Sequence, residues 1–129
     1  MSVLLPPAAE ALLIERDTCT LTTIRADGTP HVAPVRFTWD PTSGLARVMT
    51  VFNRAKSRNI RSRADSRAVA CQVSEARWIS LEGGAVVSTD PRRLAAGIQL
   101  YTKRYWTPPP TPPGLAVIEI AVDRVLGLY

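Results

Sequence analysis

The sequence predicts a mainly β fold, a six-stranded antiparallel sheet closed into a small barrel, with two or three short helices. Its 129 residues suit one domain over residues 1–129 and leave no room for a second. A content of 46% hydrophobic and 21% charged residues is typical of globular proteins and argues against disorder. Most strand-like segments are joined by short turns, which favours antiparallel pairing.

The first half of the chain alternates strand patterns with turn signals. Residues 6–14 begin with two prolines and predict a short helix, because proline suits a first helical turn. Asp27-Gly28 predicts a hairpin with a type I′ turn. Pro30 and Pro34 place the second strand at a sheet edge or a bulge, since neither can donate to the ladder. Three strands, forming a meander, are predicted at residues 18–25, 31–39 and 45–52.

The second half begins with a charged helix that Asn53 caps and that runs to about residue 64. Gly83-Gly84 predict a bulge or a close backbone approach within a strand. Asp90-Pro91 open another helix, because they supply an N-cap and a first-turn proline. Its apolar stripe is Leu94, Ile98, Tyr101 and Tyr105. The remaining strands are predicted at residues 67–73, 78–89 and 115–126.

The proline-rich residues 107–114 lie between the last helix and the last strand. Such a segment is extended, of the polyproline type. We interpret it as a stiff loop rather than as a ligand for a proline-binding partner domain.

Several functional classes find no support in the sequence. Cys19 and Cys71 form no C-x-x-C motif and His31 is the only histidine, so we expect no metal site. Nucleotide-binding and hydrolase motifs such as G-x-G-x-x-G, the P-loop and G-x-S-x-G are absent. No apolar run reaches the roughly 18 residues that span a bilayer. Residues 1–7 lack signal-peptide features, so we expect a cytoplasmic protein.

Basic charge is concentrated in residues 47–67. The net charge of the chain is +5, and this segment alone carries +6 from seven basic residues and one acid. Within it, residues 53–60 follow a strand and begin a helix, so cationic side chains and free N–H groups meet at one place. This arrangement predicts an anion site, with a phosphate as the natural ligand.

A nucleic-acid-binding module would share that basic segment. However, aromatic residues make up only 6% of the chain, and no strand shows clustered aromatics for base stacking. We therefore expect a small-molecule ligand and no nucleic-acid partner.

Four segments carry a family resemblance, and they lie in residues 20–32, 46–50, 56–59 and 77–83. In this order and spacing, the chain from about residue 12 to 126 resembles the pyridoxamine-5′-phosphate-oxidase-like split-barrel proteins. It is most similar to the actinobacterial branch that uses the 5-deazaflavin coenzyme F-420. Residues 77–83, with the strand before them, particularly resemble the small biliverdin-reducing members.

The resemblance implies a homodimer with the cofactor ring at the interface between subunits. The resemblance implies that five residues of the second and third strands contact the ring. Trp78 or its neighbours would contact the ring from the other subunit. The resemblance assigns the phosphate to four residues around the start of the charged helix. The ring residues are Pro34, Val35, Arg36, Val48 and Thr50; the phosphate residues are Asn53, Arg54, Lys56 and Asn59.

The choice of cofactor follows from charge. FMN presents one phosphate, which two or three cations satisfy, whereas F-420 carries a phosphodiester and an oligoglutamate tail. Arg58, Arg61 and Arg63 suit that tail, so we expect F-420 to bind in preference to FMN. The alternatives are an FMN-binding relative of the oxidase and a non-catalytic F-420 carrier.

The implied reaction is hydride transfer from the reduced deazaflavin, F-420H2, to an organic acceptor, with biliverdin as the suggested substrate. The proton would come from solvent or from near Arg36, the expected catalytic residue. The oxidase proper uses a C-terminal extension for its vitamin substrate. This chain stops at Tyr129, so we do not expect the oxidase activity itself.

Overall fold

The computed structural model describes residues 3–129, so the first two residues of the segment inspected for a signal peptide lie outside it. The elements in chain order are α1 Pro7–Leu12, β1 Thr18–Ile24, β2 Pro30–Val35, β3 Thr38–Asp40, β4 Leu45–Val51, α2 Ala55–Arg61, β5 Arg67–Ser74, β6 Arg77–Ser88, α3 Pro91–Tyr105 and β7 Leu115–Leu128. Among these helices, none is long and apolar enough to cross a membrane.

All strands pair antiparallel in one sheet, in the order β2-β1-β5-β6-β7-β4-β3. The mainly β prediction is confirmed, with seven strands instead of six. The difference arises at Arg36-Phe37, where the chain breaks the expected second strand into β2 and β3. Phe37 is fully buried, so the chain turns into the core at this point instead of continuing along the edge.

The predicted three-strand meander is confirmed in its two hairpins, β1–β2 and β3–β4, but it is broken at the corner between β2 and β3. β1 pairs with β2 and β5, whereas β4 pairs with β3 and β7. β2 and β3 are therefore the two edges of the sheet, yet only two residues separate them in the chain. Because consecutive Cα atoms are about 3.8 Å apart, the edges must meet at this corner. The sheet thus curls into a split barrel around a core that includes Leu21, Phe37, Ile79, Leu81, Ile118 and Ile120.

The hairpin between β1 and β2 is confirmed, but its turn is not type I′. Only Gly28 has a positive φ, of +88°, whereas a type I′ turn needs two such residues. The Arg25 carbonyl accepts from the Gly28 N–H at 2.9 Å, and the Arg25 N–H donates to the Thr29 carbonyl at 2.8 Å. This is a type I turn followed by a glycine bulge, the usual form of a slightly longer hairpin loop.

The glycine at the predicted irregularity of β6 allows a close approach between two strands. The register of β6 with β7 shifts between Glu82 and Gly83. A Cβ atom on Gly83 would lie 1.9 Å from the Ala121 carbonyl oxygen, so no side chain fits there. The unpaired residue of the bulge is Asp123 on β7, opposite Glu82 and Gly83. The close approach is therefore confirmed at Gly83, whereas the bulge lies on the partner strand.

Helix α2 is shorter than predicted and is capped differently. Arg54, not Asn53, occupies the N-cap, and its side chain makes no capping hydrogen bond. The helix ends at Arg61. Ile60 anchors it in the core, and the Ser57 hydroxyl donates to the Val51 carbonyl at 3.0 Å. These two contacts fix the turn between β4 and α2, where the cationic side chains lie.

Helix α3 begins as predicted, because the Asp90 carboxylate accepts from the Arg92 N–H at 2.8 Å. Its buried face is rotated from the expected stripe and includes Gly97 and Arg104 beside Tyr101 and Tyr105. A Cβ atom on Gly97 would lie 2.5 Å from the Met49 sulfur. The missing side chain therefore lets α3 pack closely against β4.

Candidate functional site

A pocket of about 270 Å³ lies between β4, the corner after β2, the side of α3 and the proline-rich segment. Seven of the residues predicted to bind the cofactor line it. They are Pro34, Val35, Arg36, Val48, Thr50, Arg54 and Lys56. Residues from β2 and from β4 therefore meet the cationic turn before α2 at one pocket.

Thr50 supplies an unsatisfied polar atom to this pocket. The residue is 7% exposed, and its hydroxyl has no hydrogen-bond partner within residues 3–129. A buried hydroxyl without a partner costs free energy that a ligand could recover. Val48, two residues earlier on the same face of β4, is apolar and 1% exposed. The pocket wall at β4 is therefore apolar apart from this hydroxyl, and Val48 itself belongs to the core.

The cationic end of the pocket is formed by Arg54 and Lys56. Neither side chain takes part in an ion pair within the described part of the chain. Burial lowers the pKa of Lys56, and the nearby Arg54 lowers it further. A bound anion would offset both effects, because it favours the charged ammonium. The two residues therefore fit the phosphate of a cofactor.

At the other end of the pocket, Arg36 contacts helix α3. Its Nη1 atom donates to the Tyr101 hydroxyl at 2.9 Å, and this hydrogen bond is the main cause of a raised pKa of Arg36. Tyr101 is buried and also lines the pocket. The exposed guanidinium of Arg36 is thus held at the pocket mouth by a phenol.

Sequence reasoning placed Tyr101 on a buried stripe of α3 but did not assign it to the site. The signal for its position was Gly97, one turn earlier on the same face, which brings the helix onto β4. The proline-rich segment was interpreted as a stiff loop, and it forms a wall of the pocket. The other lining residues not predicted are Met49, Val51, Pro109, Pro110, Pro112 and Leu115.

Four predicted residues around α2 lie outside this pocket, and three of them use their side chains within the chain itself. Asn59 donates to the Thr23 hydroxyl at 3.0 Å. Arg58 donates to the backbone carbonyl of the fourth, Asn53. Arg61 donates to the Phe52 carbonyl at 3.0 Å and lies over the Phe52 ring at 3.8 Å. The two arginines therefore lie against the backbone that precedes Arg54 and Lys56.

Trp78, the remaining predicted residue, lies at the start of β6 and does not line the pocket of its own chain. It pairs with Val73 on one side and with Leu128 on the other, so the three side chains share the outer face of the sheet. Leu126 lies two residues before Leu128 on that face. We call Val73, Trp78, Leu126 and Leu128 the outer apolar patch; their exposed fractions range from 37% to 63%.

The family model described as pyridoxamine 5′-phosphate oxidase matches residues 5–129, nearly the whole chain. The chain belongs to the pyridoxamine 5′-phosphate oxidase family. This membership accounts for the split barrel, and it confirms the family to which the four sequence segments pointed.

Within this family, one relative is an F-420H2-dependent biliverdin reductase of Mycobacterium tuberculosis. It is 44% identical over 119 residues, which make up 92% of this chain and 85% of the relative. A solved structure described as an F-420 reductase is 25% identical to this chain. The two align over 95% of this chain and 98% of the solved chain, with a TM-score of 0.74. A conserved hypothetical protein of Mycobacterium tuberculosis shares the fold at 22% identity, with a TM-score of 0.76 over 98% of this chain and 86% of that one.

Proposed function

We propose that this protein is an F-420H2-dependent reductase that transfers hydride from the reduced deazaflavin to an organic acceptor, with biliverdin as the first candidate. The observation that carries the proposal is the pocket itself. It joins Arg54 and Lys56, which form no ion pair among residues 3–129, to the unsatisfied hydroxyl of Thr50 near the end of β4. The 44% identity to a biliverdin reductase supports the same cofactor and reaction.

In this proposal the ring lies against β4 and the end of β2. Val48, Pro34 and Val35 provide apolar contacts, and Thr50 hydrogen-bonds to a polar atom of the ring. Lys56 and Arg54 hold the phosphate. Asn53, Arg58, Asn59 and Arg61 lie around α2 outside the pocket, and in this proposal the two arginines provide positive charge for the glutamate tail. The deazaflavin supplies the hydride when bound; the chain orients it and excludes water from the ring face.

Arg36 stands where an acceptor would stack on the ring. Its guanidinium is exposed, and it lies 5.0 Å from the centre of the Tyr105 ring and 5.9 Å from that of Tyr101. In the proposed reaction it pairs with negative charge on the acceptor, such as a propionate of biliverdin, and stabilises charge that develops during transfer.

We further propose a cytoplasmic homodimer. Four large apolar side chains on one sheet face form the outer apolar patch, which is the kind of surface that association buries. Trp78 is a suitable centre for such an interface, because tryptophan is enriched among residues that dominate binding energy. Across the two-fold axis, Trp78 would complete the ring site of the partner.

The proposal is tested by titrating the protein with F-420 and with FMN at low and high salt, followed by turnover. The expected result is tighter binding of F-420 than of FMN, weakened by salt, and loss of the reduced deazaflavin absorbance when biliverdin is added. Equal or tighter FMN binding would assign the chain to the flavin-binding members instead. Tight F-420 binding without turnover of any tested acceptor would make it a carrier.

A further inference from the structure

The hydrogen-bond pattern of Tyr101 leaves its hydroxyl proton free. Arg36 donates to the Tyr101 oxygen, and a guanidinium can only donate. The Tyr101 oxygen is therefore the acceptor in this contact, and its own hydrogen finds no acceptor among residues 3–129. Tyr101 borders the pocket, so the donor is available to a molecule bound there.

Tyr105, one turn later on α3, has the opposite arrangement. Its hydroxyl donates to the Phe37 carbonyl at 2.8 Å, and it does not line the pocket. The two rings lie 4.8 Å apart. The same helix therefore holds one tyrosine whose proton is used inside the protein and one whose proton is free at the site.

We propose that Tyr101 is the proton donor of the reductive reaction, an inference that rests on the proposed function. Hydride enters a carbon of the conjugated acceptor, and the electron pair of that double bond moves to a conjugated nitrogen or oxygen. That atom takes the proton from the Tyr101 hydroxyl. The resulting phenolate is held by the Arg36 guanidinium until water restores the proton, so the acceptor gains one hydride and one proton in total.

The other polar groups of the pocket suit this role less well. The hydrogen bond to Tyr101 raises the pKa of Arg36, which makes that guanidinium a poorer acid. Lys56 and Arg54 lie at the phosphate end, and the hydroxyl of Thr50 is a far weaker acid than a phenol. Arg36 is thus better placed to stabilise the phenolate than to give up a proton itself.

The test compares Tyr101→Phe with the matched variant Tyr105→Phe in the F-420-loaded protein, using biliverdin as the acceptor. Tyr101→Phe should lower kcat by about 100-fold, the usual contribution of a general acid. It should leave the F-420 dissociation constant within about threefold, because it removes no phosphate contact. The solvent isotope effect on kcat should change in Tyr101→Phe. In Tyr105→Phe, kcat should stay within about threefold of wild type, and the solvent isotope effect should equal that of wild type.

Three results would overturn the inference while leaving the proposed function intact. Tyr101→Phe could keep wild-type kcat, both variants could lose activity alike, or Tyr101→Phe could lose F-420 affinity in proportion to its activity. The first would show that the proton comes from elsewhere, the second that the tyrosines only support the fold, and the third that Tyr101 holds the cofactor. Absence of turnover in the wild-type protein would instead refute the proposed function.

Discussion

Arg47 and Glu119 lie directly opposite each other on β4 and β7 and form a buried ion pair, with 3.1 Å between Nε and Oε2. Both side chains are less than a tenth exposed. Arg47 also contacts the Asp40 carboxylate at 3.0 Å. The pair reinforces the pairing of β4, which carries Val48 and Thr50, with its neighbouring strand β7.

Glu119→Ala should lower the free energy of unfolding by about 3 kcal/mol, because it leaves the buried guanidinium of Arg47 with only one carboxylate. Chemical denaturation measures this change. The control is Asp123→Ala, which breaks the Arg67–Asp123 pair, half exposed on both sides, and should lower the free energy of unfolding far less. Equal losses in the two variants would contradict the importance assigned to burial.

The adjacent glycines of β6 should respond very differently to a methyl group. Gly83→Ala places a Cβ atom 1.9 Å from the Ala121 carbonyl oxygen, so the strands must separate at the bulge. We expect a loss of about 3 kcal/mol of stability or more. Gly84 has nothing within 4 Å of the added atom, and Gly84→Ala should stay within about 0.5 kcal/mol of wild type. Thermal unfolding of both variants measures this difference, and equal midpoints would contradict the role assigned to the close approach at Gly83.

Two cations near α2 should differ in their effect on cofactor binding. Lys56 is half-buried in the pocket, where a charge-assisted contact is worth ~1.5–3 kcal/mol. Lys56→Ala should therefore weaken F-420 binding roughly tenfold to a hundredfold. Arg61 is exposed and its guanidinium donates a hydrogen bond to the Phe52 carbonyl, so Arg61→Ala should lower the F-420 affinity by less than about fivefold.

A fragment of F-420 that lacks the glutamate tail separates these two roles. It should bind more weakly to Lys56→Ala and equally well to Arg61→Ala and wild type. If both substitutions weaken binding of the tailless fragment equally, the basic segment acts as a diffuse charged surface, and the assignment of the phosphate to Lys56 is wrong.

Alkaline stability should depend on Tyr105. Burial raises the pKa of Tyr105 from its usual 10 to about 12, even though the nearby Arg104 opposes the shift. Between these two values the unfolded chain has lost the phenol proton and the folded chain has kept it. The free energy of unfolding should therefore fall as the pH rises from 10 to about 12. Urea unfolding across this range should show a shallower fall for Tyr105→Phe, whereas Tyr129→Phe, at the exposed end of the chain, should behave like wild type.

The proposed homodimer depends on the outer apolar patch. Trp78→Glu puts a charge at its centre and should shift the protein to monomers in sedimentation at micromolar concentration. Leu4→Glu is the control, because that side chain is 90% exposed and lies outside the patch. A Trp78→Glu protein that remains dimeric, or a wild-type monomer that still binds cofactor, would contradict the proposed interface.

Local patterns predicted most of the individual elements. Alternating apolar residues indicated the strands, and Asp90-Pro91 indicated the start of α3 correctly. The turn at Gly28 was predicted in place but with the wrong type, and α2 was predicted about three residues too long, because the turn type and the helix length depend on hydrogen bonds formed after the strands pair. Seven of the predicted site residues line the pocket. They lie at the end of β2, on β4 and at the turn into α2, whose positions along the chain follow from the pattern.

By itself, the sequence determined that this protein is a small antiparallel β domain with a cationic turn after its third predicted strand, because alternation, glycine turns and charge runs are properties of neighbouring residues. Only the tertiary structure decided that Phe37 enters the core and divides the second strand. It also decided that Tyr101 meets Arg36 and that Arg58 and Arg61 donate to the Asn53 and Phe52 carbonyls. The Arg36–Tyr101 contact joins residues 65 positions apart, and it exists only because the closed sheet and the close packing of α3 at Gly97 bring them together.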